Sequence, residues 1–153
     1  DYEKKDAMTK EISTMLCAKE YEVAEAVGRL KSEQTRMKSQ IAELQQKLLK
    51  FCVAEIPVDE KIVTVFDGSL SGNLPREMMN QLLDKGAVIC AVFAGTDEEG
   101  YRYVIGSRSE DVRSISKTLN STLEGRGGGK PEMVQGSVKG TEDAVKEIIA
   151  RYQ

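Results

Sequence analysis

From Leu16 onward every seventh residue in the first third of the chain is apolar: Leu16, Val23, Leu30, Met37, Leu44 and Phe51. Val27, Ile41 and Leu48 continue a companion register four residues on. An apolar repeat of this period is the seam of a coiled coil. A helix of roughly 30 residues, rising about 1.5 Å per residue, is on the order of 45 Å long, more than a small core covers along one face. The seam therefore calls for a partner helix and predicts a homodimer. Glu20 and Gln34 occupy companion positions, where a polar side chain fixes register or partner number at some cost in stability, and Ser13 weakens the start. Pairs such as Glu25 with Arg29 and Glu43 with Lys47 support the helix without implying chemistry. A shorter stripe of Met8, Ile12, Met15 and Leu16 predicts a separate first helix, with a break near Cys17 to Lys19. Residues 1–56 are accordingly expected to be a helical hairpin or coiled-coil dimerisation arm.

The chain has 153 residues, 40% hydrophobic and 31% charged, which suits a compact domain joined to an extended, solvated helix. Its net charge is −3, unevenly spread: residues 1–100 hold 13 basic and 18 acidic side chains, residues 101–153 hold 9 and 7. The second half can therefore offer either a polyanion-binding face or an ordinary mixed surface. There is no histidine, which removes Ser/His and Cys/His nucleophilic pairs, imidazole metal sites and the commonest general base. Cys17, Cys52 and Cys90 are widely spaced and odd in number, suggesting neither a disulfide framework nor a zinc knuckle. We expect a soluble protein of the reducing cytoplasm, because no apolar stretch reaches membrane-spanning length and the first twenty residues are charged. The opening at Asp1, without methionine and directly in helical pattern, suggests an excised fragment.

Residues 57–153 are expected to form a mixed α/β domain of order β-α-β-β-α-β-α. Ile62 to Phe66 is a β-branched and aromatic run closed by Asp67, Gly68 and Ser69, which predicts a buried strand. Pro75 at a helix start, then Met78, Met79, Leu82 and Leu83 before Lys85 and Gly86, predicts an amphipathic helix. Ala87 to Ala94 and Tyr101 to Ile105 should pair as a hairpin through the polar Gly95–Gly100 turn, with Tyr101 and Tyr103 on one face of an edge strand. A helix over Glu110 to Leu123, a glycine-rich loop from Gly125 to Gly129, a short strand at Met133 to Val138 and a last helix from Glu142 to Tyr152 complete the order. Cys90, Met78 and Met79 read as core.

The least ordinary stretch is Gly125 to Gly136, Gly-Arg-Gly-Gly-Gly-Lys-Pro-Glu-Met-Val-Gln-Gly. Three consecutive glycines permit close backbone approach, so their N–H groups can form a nest for an oxyanion, flanked by Arg126 and Lys130. An equally available reading is a glycine turn that returns the chain to the sheet. A Walker loop is excluded, because Gly125 to Lys130 is a residue short and Pro131 follows the lysine.

At these residues the sequence resembles the DHH-associated domain found at the C-terminus of alanyl-tRNA synthetases and of AlaX-type trans-editing proteins. The resemblance is carried by Gly-Gly-Gly-basic-Pro-acidic-Met-x-Gln-Gly from Gly127 to Gly136, by the element order before it, and by the Asp-Tyr-x-Lys-Lys opening at Asp1 to Lys5. A related domain occurs in DHH phosphoesterases, where a histidine and small residues typically replace Lys130, Pro131 and Glu132. The resemblance implies a non-catalytic C-terminal part of an alanyl-tRNA editing protein, which dimerises and binds alanine-specific tRNA. A zinc-dependent upstream domain, absent from this sequence, would hydrolyse mischarged serine or glycine from that tRNA. The C-terminal domain of a full alanyl-tRNA synthetase and the phosphate-clamping domain of a DHH phosphoesterase are the alternatives. The chain itself is expected to hold no metal or cofactor. Candidate RNA or phosphate contacts are Arg126, Gly127, Gly128, Gly129, Lys130, Gln135 and Lys139, with Arg108, Arg113 and Lys117.

Overall fold

The computed structural model describes the backbone of residues 2–153 and the side chains from residue 10 on. The chemistry of the Asp1–Lys5 opening and of Met8 therefore lies outside the described residues. One helix, α1, runs from Tyr2 to Glu55. The break expected near Cys17 to Lys19 is not there, so the arm is no hairpin: Ala18, Lys19 and Glu20 all favour helix, and the stripe changes face without interrupting the backbone. Leu16, Val23, Val27, Leu30, Met37, Ile41 and Leu44 are all exposed.

The chain divides into two compact units between Lys47 and Leu48, inside α1. The end of α1 belongs to the second unit because it carries its own apolar face: Leu49 and Val53 are buried, with Cys52 and Ile56 partly so. Leu48 and Phe51, on the other side of the same turns, stay exposed at 62% and 73%. The carbonyls at the end of α1 are capped by a side chain from elsewhere, since Lys85 Nζ donates to those of Val53 and Ala54 at 2.9 Å each and to that of Ile56, just past the helix, at 2.6 Å.

The second unit is a five-stranded sheet between helical layers. Its strands are β1 (Ile62–Phe66), β2 (Ile89–Thr96), β3 (Gly100–Ser107), β4 (Arg126–Lys130) and β5 (Met133–Val138). Its helices are α2 (Leu74–Lys85), α3 (Arg113–Thr122) and α4 (Glu142–Ala150). The spatial order is β1-β2-β3-β5-β4, with β1 parallel to β2 and every other pair antiparallel. β2 reads as an unbroken apolar run because both its faces are covered. Ile89, Ala91 and Phe93 enter the core beneath α3 and α4, whereas Cys90, Val92 and Ala94 enter the core shared with α2 and the end of α1. Burial pushes the Cys90 thiol up to about 12, which makes it an inert core group.

Two expectations need correction. The stretch expected as a glycine-rich loop is itself a strand, β4, hairpinned onto β5, so the order gains one strand. β3 is interior, because β5 pairs with its other side, and Tyr101 and Tyr103 are buried beneath α3 and α4 at 6% and 1% exposure instead of lining an edge.

The β2–β3 turn also reaches α4. Asp97 Oδ1 accepts a hydrogen bond from the Tyr101 hydroxyl at 2.5 Å and another from the Glu142 N–H at 2.9 Å, while Thr141 accepts from Ala144 N–H at the same helix start. These donors hold the Asp97 carboxyl below the usual carboxylate range, and the hydrogen bond to Asp97 raises the Tyr101 phenol to about 12.

Two outcomes follow. Leu49→Ala should cost about 2–4 kcal/mol in urea unfolding of the α/β unit, as for a buried core leucine. A carboxyl whose pKa is lowered by folding stabilises above its unfolded value, about 4, and loses that contribution as pH falls through the lower folded one. Asp97→Asn should therefore be less stable than the parent at pH 7, with the gap closing as the solution is acidified below about pH 4, and the Tyr101 phenol should titrate closer to its ordinary value by NMR.

Candidate functional site

The two faces of the sheet are covered unequally. α3 packs on β4 and β5 from one side, whereas α2 packs mainly on β2 and β3 on the other and meets β5 at Met133. Beyond Met133 the α2-side face of β5 and β4 is therefore open, and its side chains follow from strand register. Directly paired residues share a face, so Arg102, Ser137 and Arg126 form one row across β3, β5 and β4. Val104, Gln135 and Gly128 form the next, and Gly106, Met133 and Lys130 the third.

Two adjoining hollows lie on this face. One, about 440 Å³, is lined by Arg76 and Asn80 of α2 together with Arg108, Gly128, Lys130 and Gln135, with Glu132 as the acid on its rim. The other, about 380 Å³, is lined by Arg102, Arg126, Gln135 and Ser137. Arg108 is held by Asp84. Among the described residues no ion pair engages Arg76, Arg102, Arg126 or Lys130. Cations around a small-residue floor, with amide and hydroxyl side chains between them, are the chemistry that receives a phosphate-bearing chain.

In place of either a glycine nest or a glycine turn, Arg126–Lys130 is an extended edge strand whose five residues are all exposed. The three glycines have different reasons for being there. A Cβ on Gly127, at φ 155°, would sit 2.3 Å from the Gln135 carbonyl oxygen and 2.9 Å from the Tyr103 hydroxyl, and one on Gly129 would lie 2.4 Å from the Met133 oxygen. A Cβ on Gly128 would meet nothing within 4 Å. Folding thus demands glycine at 127 and 129, while at 128 it leaves bare backbone facing the hollow.

β4 is set in place from the opposite side. The Tyr103 hydroxyl is within 2.8 Å of Ser116 Oγ and donates to Asn120 Oδ1 at 2.9 Å, and Asn120 Nδ2 donates to the Gly127 carbonyl at 3.2 Å. Gly136 also abuts that hydroxyl, so Tyr103 fills the space beneath the Gly127–Gly136 pair.

The structure gathers Arg126, Gly128, Lys130 and Gln135 on the open face, with Gly129 and Arg108 lining the larger hollow. Gly127 faces Tyr103. Lys139 lines a neighbouring hollow with Arg102, Arg126, Glu99 and Glu124. Arg113 and Lys117 are not brought to the site: both lie on α3, the helix on the other side of the sheet, and Arg113 is bound to Asp111. The side-chain and backbone hydrogen bonds from Arg113, with its charge, hold the Asp111 carboxyl down to about 2. Arg76, Asn80, Arg102 and Ser137 were not expected. The one sequence signal was Arg102 between two tyrosines, since strand alternation with both rings inward sends the arginine to the other face.

Residues 59–153 match the family model described as the DHHA1 domain. The chain belongs to the DHHA1 domain family. Among curated relatives, an alanine–tRNA ligase of Psychrobacter sp. (strain PRwf-1) is 25% identical over 149 residues, 90% of this chain and 16% of the relative. Another, from Acholeplasma laidlawii (strain PG-8A), is 33% identical over 73 residues, 45% of this chain and 9% of the relative. The chain thus spans less than a fifth of the length of either ligase. The DHHA1 fold is shared with RecJ of Thermus thermophilus, solved in complex with Mg2+, at a TM-score of 0.59 and 15% identity over 78% of this chain and 18% of that one.

The glycine assignments make a paired prediction. Gly127→Ala should destabilise the α/β unit by about 1–3 kcal/mol through clash and strain. Gly128→Ala should fall within about 0.5 kcal/mol of the parent in the same urea titration, as a substitution in open space does.

Proposed function

We propose that this chain is the non-catalytic C-terminal part of an alanyl-tRNA editing protein, in which α1 dimerises the parent and the open face of β3, β5 and β4 holds the backbone of alanine-specific tRNA. The observation that carries the RNA-binding half is the row register that puts Arg102, Arg126 and Lys130 around Gly128 on the exposed side of β5 and β4. Structured RNA is recognised largely through shape and phosphate, so a few cations on a surface open to a rigid partner are an adequate set. Gly128 fits the same use, because folding leaves its side-chain position empty where a sugar-phosphate chain would approach.

The similarity to alanine–tRNA ligases along 90% of the chain supports tRNA as the nucleic acid. The same finding favours a second reading, in which the parent is a full ligase and this is its C-terminal piece. In both, chemistry belongs to a domain outside this chain, and a second contact on the same tRNA raises the effective concentration of its acceptor end at that domain. A reducing cytoplasm is the compartment where either parent would meet its tRNA.

The test is filter binding of the chain to alanine tRNA across a salt series. Binding should be weak and should fall steeply with salt, as counterion release requires. The double variant Arg126→Glu, Lys130→Glu should abolish it, and Lys130→Ala alone should flatten the log–log salt slope by about 1. Salt-independent binding, or full binding by the double variant, would refute the assignment of this face.

A further inference from the structure

We infer that α1 pairs with a second copy of itself in parallel and in register, an orientation that rests on the dimer reading above and goes beyond it. The surface is the exposed stripe from Leu16 to Leu44, about 42 Å long at 1.5 Å per residue. With Leu16, Val23, Leu30, Met37 and Leu44 as the d positions of a heptad, Glu20, Val27, Gln34 and Ile41 are the a positions.

Three features select one geometry. Val27 and Ile41 are β-branched at a, while Leu16, Leu30 and Leu44 are leucine at d, the combination that packs as two parallel strands. Gln34 stands alone among apolar a and d residues between Val23 and Leu44. In a parallel pair in register its amide meets the partner's Gln34 and the two hydrogen-bond, whereas in an antiparallel pair a faces d and the amide meets an apolar side chain without a partner. The flanking charges agree. The e positions carry Lys31 and Lys38 and no acid, so antiparallel pairing, which sets e against e, brings lysines together. Parallel pairing sets e against g and places Glu33 beside the partner's Lys38. The opposing feature is Glu20, whose two carboxylates would face each other at the start of the seam and restrict tight packing to Val23 through Leu44.

A single cysteine reads the orientation directly. In the full chain carrying Cys17→Ala and Cys52→Ala, Leu44→Cys lies far from the middle of the seam, so only a parallel pair in register brings it against its own counterpart. Mild oxidation should then link most of the protein as a covalent dimer. A dimer by sedimentation that does not cross-link at this position would overturn the parallel orientation and leave dimerisation standing. A monomer by sedimentation would overturn both. The charge pair gives an independent check without cysteine: Glu33→Lys should weaken the dimer a few-fold, and adding Lys38→Glu should restore it. Failure of that restoration would also count against the parallel pair.

Discussion

The geometry of the open face depends on where the Tyr103 ring ends. Its hydroxyl lies beneath the Gly127–Gly136 pair, hydrogen-bonded to Ser116 and Asn120, and Asn120 in turn holds the Gly127 carbonyl. β4 contributes no buried side chain of its own, so it has no apolar anchor. It stays in register through its backbone ladder to β5 and through this polar contact from α3. That register puts Arg126 and Lys130 two rows apart on one face, with Gly128 between them.

Unequal helix coverage turns a register into a site. Strands covered on both sides must be apolar on both sides, as β2 is, whereas strands covered on one side alternate. β5 shows the change within six residues: Val134 and Val138 are buried beneath α3, and Gln135 and Ser137 between and beside them are exposed. The cations are thus held on a rigid sheet, where their spacing is set by strand separation and not by loop conformation.

Elements whose cause is local were legible in the sequence. β1 and β2 announced themselves by β-branched and aromatic runs, α2 by Pro75 and Gly86, and the exposed seam of α1 by its heptads. β4 was not legible, because Arg-Gly-Gly-Gly-Lys has no alternation and no strand-forming side chain; it is a strand only because β5 lies beside it. The same gap hid half the site. Arg126, Lys130 and Gln135 share one short motif, but Arg102 and Arg76 join them through pairing and helix packing that no spacing along the chain encodes. Arg113 and Lys117 show the converse: basic residues near the motif in sequence lie on α3, on the other side of the sheet.

The boundary between the two compact units lies within a helix, and this bears on how the protein can be divided. Domains usually meet at a pliable connector that tolerates cutting. Here the natural place to cut by inspection, before Pro57, would remove Leu49 and Val53 from the core they complete with Leu82 and Met78, and would leave the Lys85 ammonium without the three carbonyls it caps. The smallest piece able to keep its own interior dry must therefore bring the last two turns of the stalk with it.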